Sequence, residues 1–357
     1  MRIAFVGLSS KRGGVESFII NTYQQIKKRS PEIQVRFLVN DQIDYFELVS
    51  PEDQFIIYPS RRENYIQFKK SVRDIFEHNA FDVLWFNCCS LSNIEELKIA
   101  HKMGVKKIIL HSHNSRNMGG KLTGVLHDKH KKCAGKYVTD YFACSNVAAQ
   151  WMFPENTEYT VINNSVDTDR FVYQENIARS QREKYGCGDK MVIGHVGRFH
   201  HQKNHTFLID VFAEYLRLNP DCVLCLCGDG ELKESIVEKI DELGISDHVV
   251  FTGQINNTQE LYQMFDVFLF PSLFEGLPFA LIEAQAAGIP CMISDTISTE
   301  VAITDLIHYE SLQASPKVWA EHLDALPITR ENTKQDLVTT GYDLDANAEF
   351  IVNFLQQ

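Results

Sequence analysis

Twice along this chain, short apolar runs alternate with stretches of helical periodicity, and that alternation admits few folds. Strand-like runs fall at 2–7, 34–40, 54–58, 83–87, 107–111 and 138–143, with a last one over 159–166. Helical stretches follow the first run through Lys28 and recur near 64–78, 91–103, 120–133 and 146–153. A second set begins near Met191, with strands at 191–196, 222–227, 248–252, 267–270, 291–294 and 306–309. Its helices lie near 204–218, 231–243, 257–265, 278–287 and 315–325. Strands that alternate regularly with helices build parallel sheets covered on both faces. The fold class is therefore α/β, with two doubly wound sheets. A length of 357 residues suits two domains of ordinary size, and 44% hydrophobic residues can fill two cores. The expected domains are 1–168 and 169–343, with an amphipathic helix over 344–357 packing back on the first.

Within the second set, residues 267–291 are the most informative stretch. Val267 to Phe270 reads as a fully buried strand stopped by Pro271-Ser272. Pro278 suits the first position of a helix, where its missing N–H costs nothing, and Gly288 and Pro290 mark the helix end. That helix is almost wholly apolar, yet it carries Glu283, and Glu275 stands just before it. A carboxylate in apolar surroundings is costly unless something hydrogen-bonds to it. Backbone N–H groups of Gly276 and Leu277 are expected to face outward at the helix start, where anions bind. A ligand bearing both hydroxyls and phosphate would satisfy these groups; a capped core helix with one partnered Glu is the plainer reading.

Other candidate groups lie where strands give way to helices. Ser9 to Glu16, with Gly13 and Gly14, links the first strand to its helix, a phosphate-approach site in open α/β sheets. It is neither G-x-G-x-x-G nor a Walker loop. His111-Ser112-His113-Asn114 follows a strand at the end where ligands bind; the histidines suit hydrogen bonding to a sugar, with metal ligation or a structural His–carbonyl pair as alternatives. Gly197-Arg198-Phe199-His200-His201-Gln202-Lys203 offers two cations five residues apart, which suit a diphosphate. Gly228-Asp229-Gly230 reads as an ordinary strand–helix turn. Asp167-Thr168-Asp169 has the spacing of a metal-binding D-x-D, but falls in a linker beside Arg170 and is taken as coincidence; no metal site is expected.

The net charge of −12 conceals a split. Residues 1–165 hold 22 Lys and Arg against 17 Asp and Glu, whereas the remainder is strongly acidic. The basic clusters at Lys27–Arg29, Arg61-Arg62, Lys69-Lys70 and His127–Lys136 suit an anionic membrane surface, worth about 1 kcal/mol per Lys or Arg. A merely solvated face is the next reading, and nucleic acid the last, since the whole protein is acidic. No apolar run approaches the roughly 20 residues that span a bilayer, and the chain opens directly as a strand. Nine cysteines without framework spacing read as buried strand thiols in a reducing compartment. The expected location is cytoplasmic, peripheral on the inner face of the cytoplasmic membrane.

Taken together, Gly13-Gly14, Val161-Ile162-Asn163-Asn164-Ser165-Val166-Asp167, Gly197-Arg198 with Lys203, Gly228-Asp229-Gly230, and Glu275 with Glu283 resemble glycosyltransferase family 4. The resemblance covers nearly the whole chain, and the Glu275–Glu283 spacing is its specific part. Gly is frequent in the family where this chain has Asn164, Ser165 and Asn204. The resemblance implies a GT-B fold, two Rossmann-like domains facing across a cleft, and a retaining transferase using a nucleotide sugar, UDP-linked by preference. It further implies that Arg198 and Lys203 hold the donor diphosphate, with backbone donors from Gly276 and Leu277 at the helix start that Pro278 closes. Glu283 would take the ribose hydroxyls, Glu275 the transferred sugar, Gly13 and Gly14 would let their loop approach, His113 would hold a sugar hydroxyl, and Glu16 would place the acceptor. That charge would make a metal unnecessary, and no cofactor is expected. His111-Ser112-His113-Asn114 resembles enzymes of bacterial capsular and exopolysaccharide synthesis, implying a glycan acceptor carried on a lipid diphosphate. The alternatives are a sugar-nucleotide 2-epimerase of the same architecture and a non-catalytic partner subunit of a two-chain transferase. A nicotinamide dehydrogenase is least favoured, because neither half has a dinucleotide loop.

Overall fold

The computed structural model describes residues 1–10, 13–43, 49–117, 119–255, 257–275 and 277–357. The chain divides into two compact units, Met1–Asn164 with Leu344–Gln357, and Ser165–Asp343. The division falls four residues before the expected 168/169. Val166 N–H donates to Tyr342 O at 3.0 Å and Thr168 Oγ1 to Asp343 Oδ2 at 2.7 Å, which ties this stretch to the second unit.

The first unit is built on seven strands, β1 (Arg2–Val6), β2 (Gln34–Val39), β3 (Gln54–Ile57), β4 (Val83–Cys88), β5 (Lys107–Ser112), β6 (Asp140–Ala143) and β7 (Thr160–Val161). They are hydrogen-bonded in the order β3-β2-β1-β4-β5-β6-β7, every pair parallel. Central strands of such a sheet have both faces covered and so read as continuous apolar runs. Ile3, Ala4, Leu84 and Trp85 are accordingly wholly buried. The strand expected over 159–166 shrinks to two residues because the chain leaves for the second unit. Helix Leu344–Gln356 lies on the first unit, where Arg29 pairs with Asp345 at 3.1 Å and Phe142 meets Phe354 at 4.9 Å between ring centroids.

The second unit carries β8 (Met191–Val196), β9 (Cys222–Cys227), β10 (Val249–Gly253), β11 (Val267–Phe270), β12 (Cys291–Ser294) and β13 (Ile307–Glu310), all parallel, in the order β10-β9-β8-β11-β12-β13. Cys222, Cys225 and Cys227 are buried along β9, and all nine cysteines are free thiols. The apolar helix runs Phe279–Ala286, with Leu281, Ile282 and Ala284 fully buried. Pro278 is its cap rather than its first residue, because its ψ of 124° is extended. Gly288, at φ +70°, ends the segment in the left-handed region that favours glycine.

Each sheet reverses its winding once, at β1/β4 in the first unit and at β8/β11 in the second. Crevices open beyond the carboxyl ends of the strands at such points, and ligands bind there in open α/β sheets. Among the described residues, no helix is long and apolar enough to cross a membrane.

Candidate active site

At the second unit's reversal, the chain leaving β8 meets the chain leaving β11. Asn204 caps the helix His205–Leu218 at φ +55°, a left-handed conformation that Asn tolerates better than most side-chain-bearing residues, and its Nδ2 donates to Pro271 O at 3.1 Å. This fastens the turn His201–Lys203 to the segment after β11. Lys203 then reaches Glu275, with Nζ 2.8 Å from Oε1; the two side chains are only 15% and 7% exposed. The Lys203 ammonium also lies 4.5 Å from the centroid of the Phe270 ring, a cation–π contact. A Cβ on Gly197 would sit 3.2 Å from the Lys203 stem. Gly228, at φ +141°, comes still closer: a Cβ there would lie 2.0 Å from Gly197 O. Only glycine lets the ends of β8 and β9 approach in this way.

Arg198 and Lys203, expected to act together, have different partners. Arg198 donates to Glu231 Oε2 at 3.0 Å in a half-exposed pair, with His200 Nε2 3.5 Å from the other oxygen of Glu231. Glu283 is partly buried and accepts from Thr258 Oγ1 at 3.3 Å. Burial pushes its carboxyl up to about 7, which hydrogen bonds from Tyr262 and Thr258 only partly offset. Gly276 lies outside the described residues, Leu277 is buried, and Pro278 caps the helix. Asp229 Oδ1 accepts from Gly230 N–H at 2.9 Å, a local turn bond.

Behind Lys203 sits a group that sequence reasoning missed. His195 on β8 donates from Nδ1 to Leu269 O at 2.8 Å, and its ring lies 4.8 Å from that of His205. Burial pushes both imidazoles far down, to about 3 and about 2, so both stay neutral. Gln202 was also missed as a separate group, although it stands inside the Gly197–Lys203 stretch. Its Nε2 donates to Glu275 Oε2 and to Phe274 O, each at 3.0 Å.

The first unit's crevice is different in kind. His113 Nε2 is 2.9 Å from Asn87 Oδ1, and Asn87 Nδ2 donates to Val6 O at 3.1 Å, joining β4 to the end of β1. The His113 ring stacks on His111 at 4.1 Å, with Phe18 5.0 Å away, and burial pushes His113 down to about 3. Trp85 Nε1 donates to His111 Nδ1 at 3.2 Å, which leaves the proton of neutral His111 on Nε2. Gly13 caps the helix Gly14–Arg29 in extended conformation, and both Gly13 and Gly14 are exposed. Glu16, on the first turn, accepts from Ser9 Oγ at 2.7 Å, and burial raises its carboxyl above the usual range. In the second unit, Asp169 pairs with Lys334.

A family model described as glycosyl transferases group 1 matches residues 178–339. The putative glycosyltransferase EpsF of Bacillus subtilis is 30% identical over 370 aligned residues, which cover 99% of this chain and 95% of that protein. The Escherichia coli UDP-Gal:alpha-D-GlcNAc-diphosphoundecaprenol alpha-1,3-galactosyltransferase is 28% identical over 169 residues, 46% of this chain and 43% of its own. Among solved structures, Anabaena Alr3699/HepE in complex with UDP and glucose matches with a TM-score of 0.75 at 16% identity, over 99% of this chain and 94% of that one. That last likeness speaks to the fold.

Proposed function

The chain belongs to the group 1 glycosyl transferases and has the GT-B fold, and from that premise we propose that it transfers a hexosyl group from a nucleoside diphosphate sugar to a glycan, with net retention at the transferred carbon. The observation that carries this reading is the Lys203–Glu275 pair, held nearly out of water at the carboxyl ends of β8 and β11. An ammonium has three donors, so bonding one carboxylate leaves Lys203 two for phosphate oxygens. Arg198, at the mouth of the same strand, adds a planar fork for the diphosphate. Charge that develops on the departing phosphate meets cations already in place, usually the largest contribution to catalysis. This charge takes the part that a divalent cation plays elsewhere, and no metal is needed.

Glu283 accepts the ribose hydroxyls. Glu275 accepts hydroxyls of the transferred sugar, and the backbone N–H of Leu277, just before Pro278, adds to phosphate binding. In the first unit, Gly13 and Gly14 form an exposed turn open to a phosphate or an acceptor. His113 holds a sugar hydroxyl, and Glu16 places the acceptor. Leaving-group departure on the face that the acceptor hydroxyl also attacks gives retention without a covalent nucleophile.

UDP is the favoured nucleotide, and a lipid diphosphate glycan the favoured acceptor. The support is the Escherichia coli relative, whose name gives both. A lipid acceptor also suits the exposed apolar side chains Leu122 and Val125, which share helix Lys121–Lys131 with an exposed Lys129, and the exposed Lys132 that follows it. The enzyme then works at the inner face of the cytoplasmic membrane, in surface-polysaccharide synthesis.

Screening a panel of sugar nucleotides by thermal stabilisation and by acceptor-dependent turnover tests the reading, because a bound ligand stabilises the native state. One UDP-sugar is expected to raise Tm and to donate its sugar only when acceptor is present. Release of an epimerised sugar nucleotide without acceptor would overturn the transfer assignment.

A further inference from the structure

The cation and the carboxylate of the second crevice are 72 residues apart in sequence, and something must set their register. Asn204 bonds the backbone at Pro271, but it touches neither functional group. Gln202 touches one of them directly. Its amide nitrogen donates to Glu275 Oε2 at 3.0 Å and to Phe274 O at 3.0 Å, which occupies both hydrogens of the amide. The backbone carbonyl of Gln202 accepts from Leu273 N–H at 2.8 Å. Three bonds from one residue thus span the segment just before Glu275. The neighbouring Lys203 holds the other carboxylate oxygen, Oε1, at 2.8 Å.

We infer that Gln202 is a positioning residue for the transfer reaction, fixing the Glu275 carboxylate so that it meets the transferred sugar while Lys203 meets the diphosphate. The inference rests on the donor-site reading above and names a residue that reading does not use. With Oε1 on Lys203 and Oε2 on Gln202, the carboxylate plane is set from two sides. A carboxylate accepts at about four sites, so two bonds do not exhaust it. Without Gln202, Glu275 Oε2 loses this donor while Lys203 still holds Oε1. When Lys203 turns toward phosphate, the carboxylate would then follow it and lose its aim at the sugar. Small errors of aim are costly in a reaction that depends on preset geometry.

This separates two binding events. A nucleoside diphosphate without sugar calls on Lys203 and Arg198 and is indifferent to the aim of Glu275. The sugar nucleotide depends on both. In Gln202→Ala, the affinity for UDP measured by calorimetry is expected to stay within about twofold of wild type, while kcat with the UDP-sugar selected by the panel falls by about tenfold or more, the loss typical of a hydrogen bond to a charged group. Gln202→Glu places a second carboxylate against Glu275, and like charges at that distance raise one of the two pKa values. Glu275 is the charged group bonded to that position, with Lys203 on its other oxygen, while His200 on the same turn faces Glu231. Its activity is expected to be lowest near pH 8 and to recover, relative to wild type, as protonation near pH 5 restores a donor. Equal loss of UDP affinity and of kcat in Gln202→Ala would mean that Gln202 only holds the loop together, and would overturn the inference. So would unchanged kcat, or a Gln202→Glu profile parallel to wild type. A wild-type enzyme that neither binds nor turns over any sugar nucleotide would overturn the donor-site reading itself, together with this one.

Discussion

The two crevices of this protein occupy the same place in two sheets of the same winding, yet they handle charge differently, because the second keeps ion pairs beside its buried neutral histidines. At β8/β11, opposite charges are kept together: Lys203 with Glu275 out of water, and Arg198 with Glu231 at the rim. At β1/β4, the described titratable groups are driven toward neutrality: burial keeps His113 and His111 uncharged and raises the carboxyl of Glu16. Neutral imidazoles and a carboxamide are hydrogen-bonding groups for hydroxyls, whereas fixed cations suit phosphate. On the proposed reading, the charged crevice suits the leaving diphosphate and the uncharged one suits hydroxyls. The difference lies in side chains at strand ends, not in topology.

The strongest way to break this contrast is to remove the charge from the second crevice. Lys203→Ala is expected to lower turnover by at least about a hundredfold, as loss of one oxyanion-type donor does. Near-normal turnover in a steady-state assay would count against the division of labour. Glu283 comes next. Its carboxyl is held neutral up to about pH 7, so nucleotide affinity is expected to rise as pH climbs through that value and the carboxylate forms. Glu283→Gln should weaken nucleotide binding by about thirtyfold at pH 8, in the range for a lost charge-assisted hydrogen bond, and should flatten that pH dependence. The same raised pKa makes Glu283 a stabilising contribution below its unfolded value that is lost as pH rises through about 7. Melting curves should thus show Glu283→Gln gaining on wild type at alkaline pH while binding worsens.

The first crevice gives smaller effects. His113→Asn should cost about tenfold in turnover, the upper end for a neutral hydrogen bond. Because His113 stays neutral to about pH 3, this variant should leave the shape of the pH–rate profile unchanged between pH 5 and 9. A limb that vanishes with His113 would show that the first crevice uses a charged imidazole after all. Smallest of all, Lys129→Ala should weaken co-sedimentation with anionic vesicles by about fivefold, one lysine's worth of surface attraction, with no change on neutral vesicles.

Much of the frame could be read from the amino-acid sequence, because strand and helix periods are local properties. The runs at 34–40, 222–227 and 267–270 correspond to β2, β9 and β11 within a residue. Glu175–Lys184 escaped, since its 10 residues bury only Ala178 and Gln181 and show little apolar period. In the candidate site, individual residues were legible but their pairing was not. Lys203 and Glu275 were named, yet their bond across 72 residues depends on β8 and β11 being neighbours, which no local pattern encodes. Arg198 was grouped with Lys203 because they are close in sequence, and its pairing with Glu231, 33 residues on, was equally invisible to a local pattern. Gln202 went unremarked because an amide carries no charge, and its value comes from the carboxylate it meets.

The central claim is that fixed positive charge in the second unit binds a diphosphate, and calorimetry tests it most directly. UDP and uridine would be titrated into wild type and into Lys203→Ala. Wild type is expected to prefer UDP strongly, and the variant to lose most of that preference while its affinity for uridine hardly changes. An undiminished preference for UDP in the variant would contradict it.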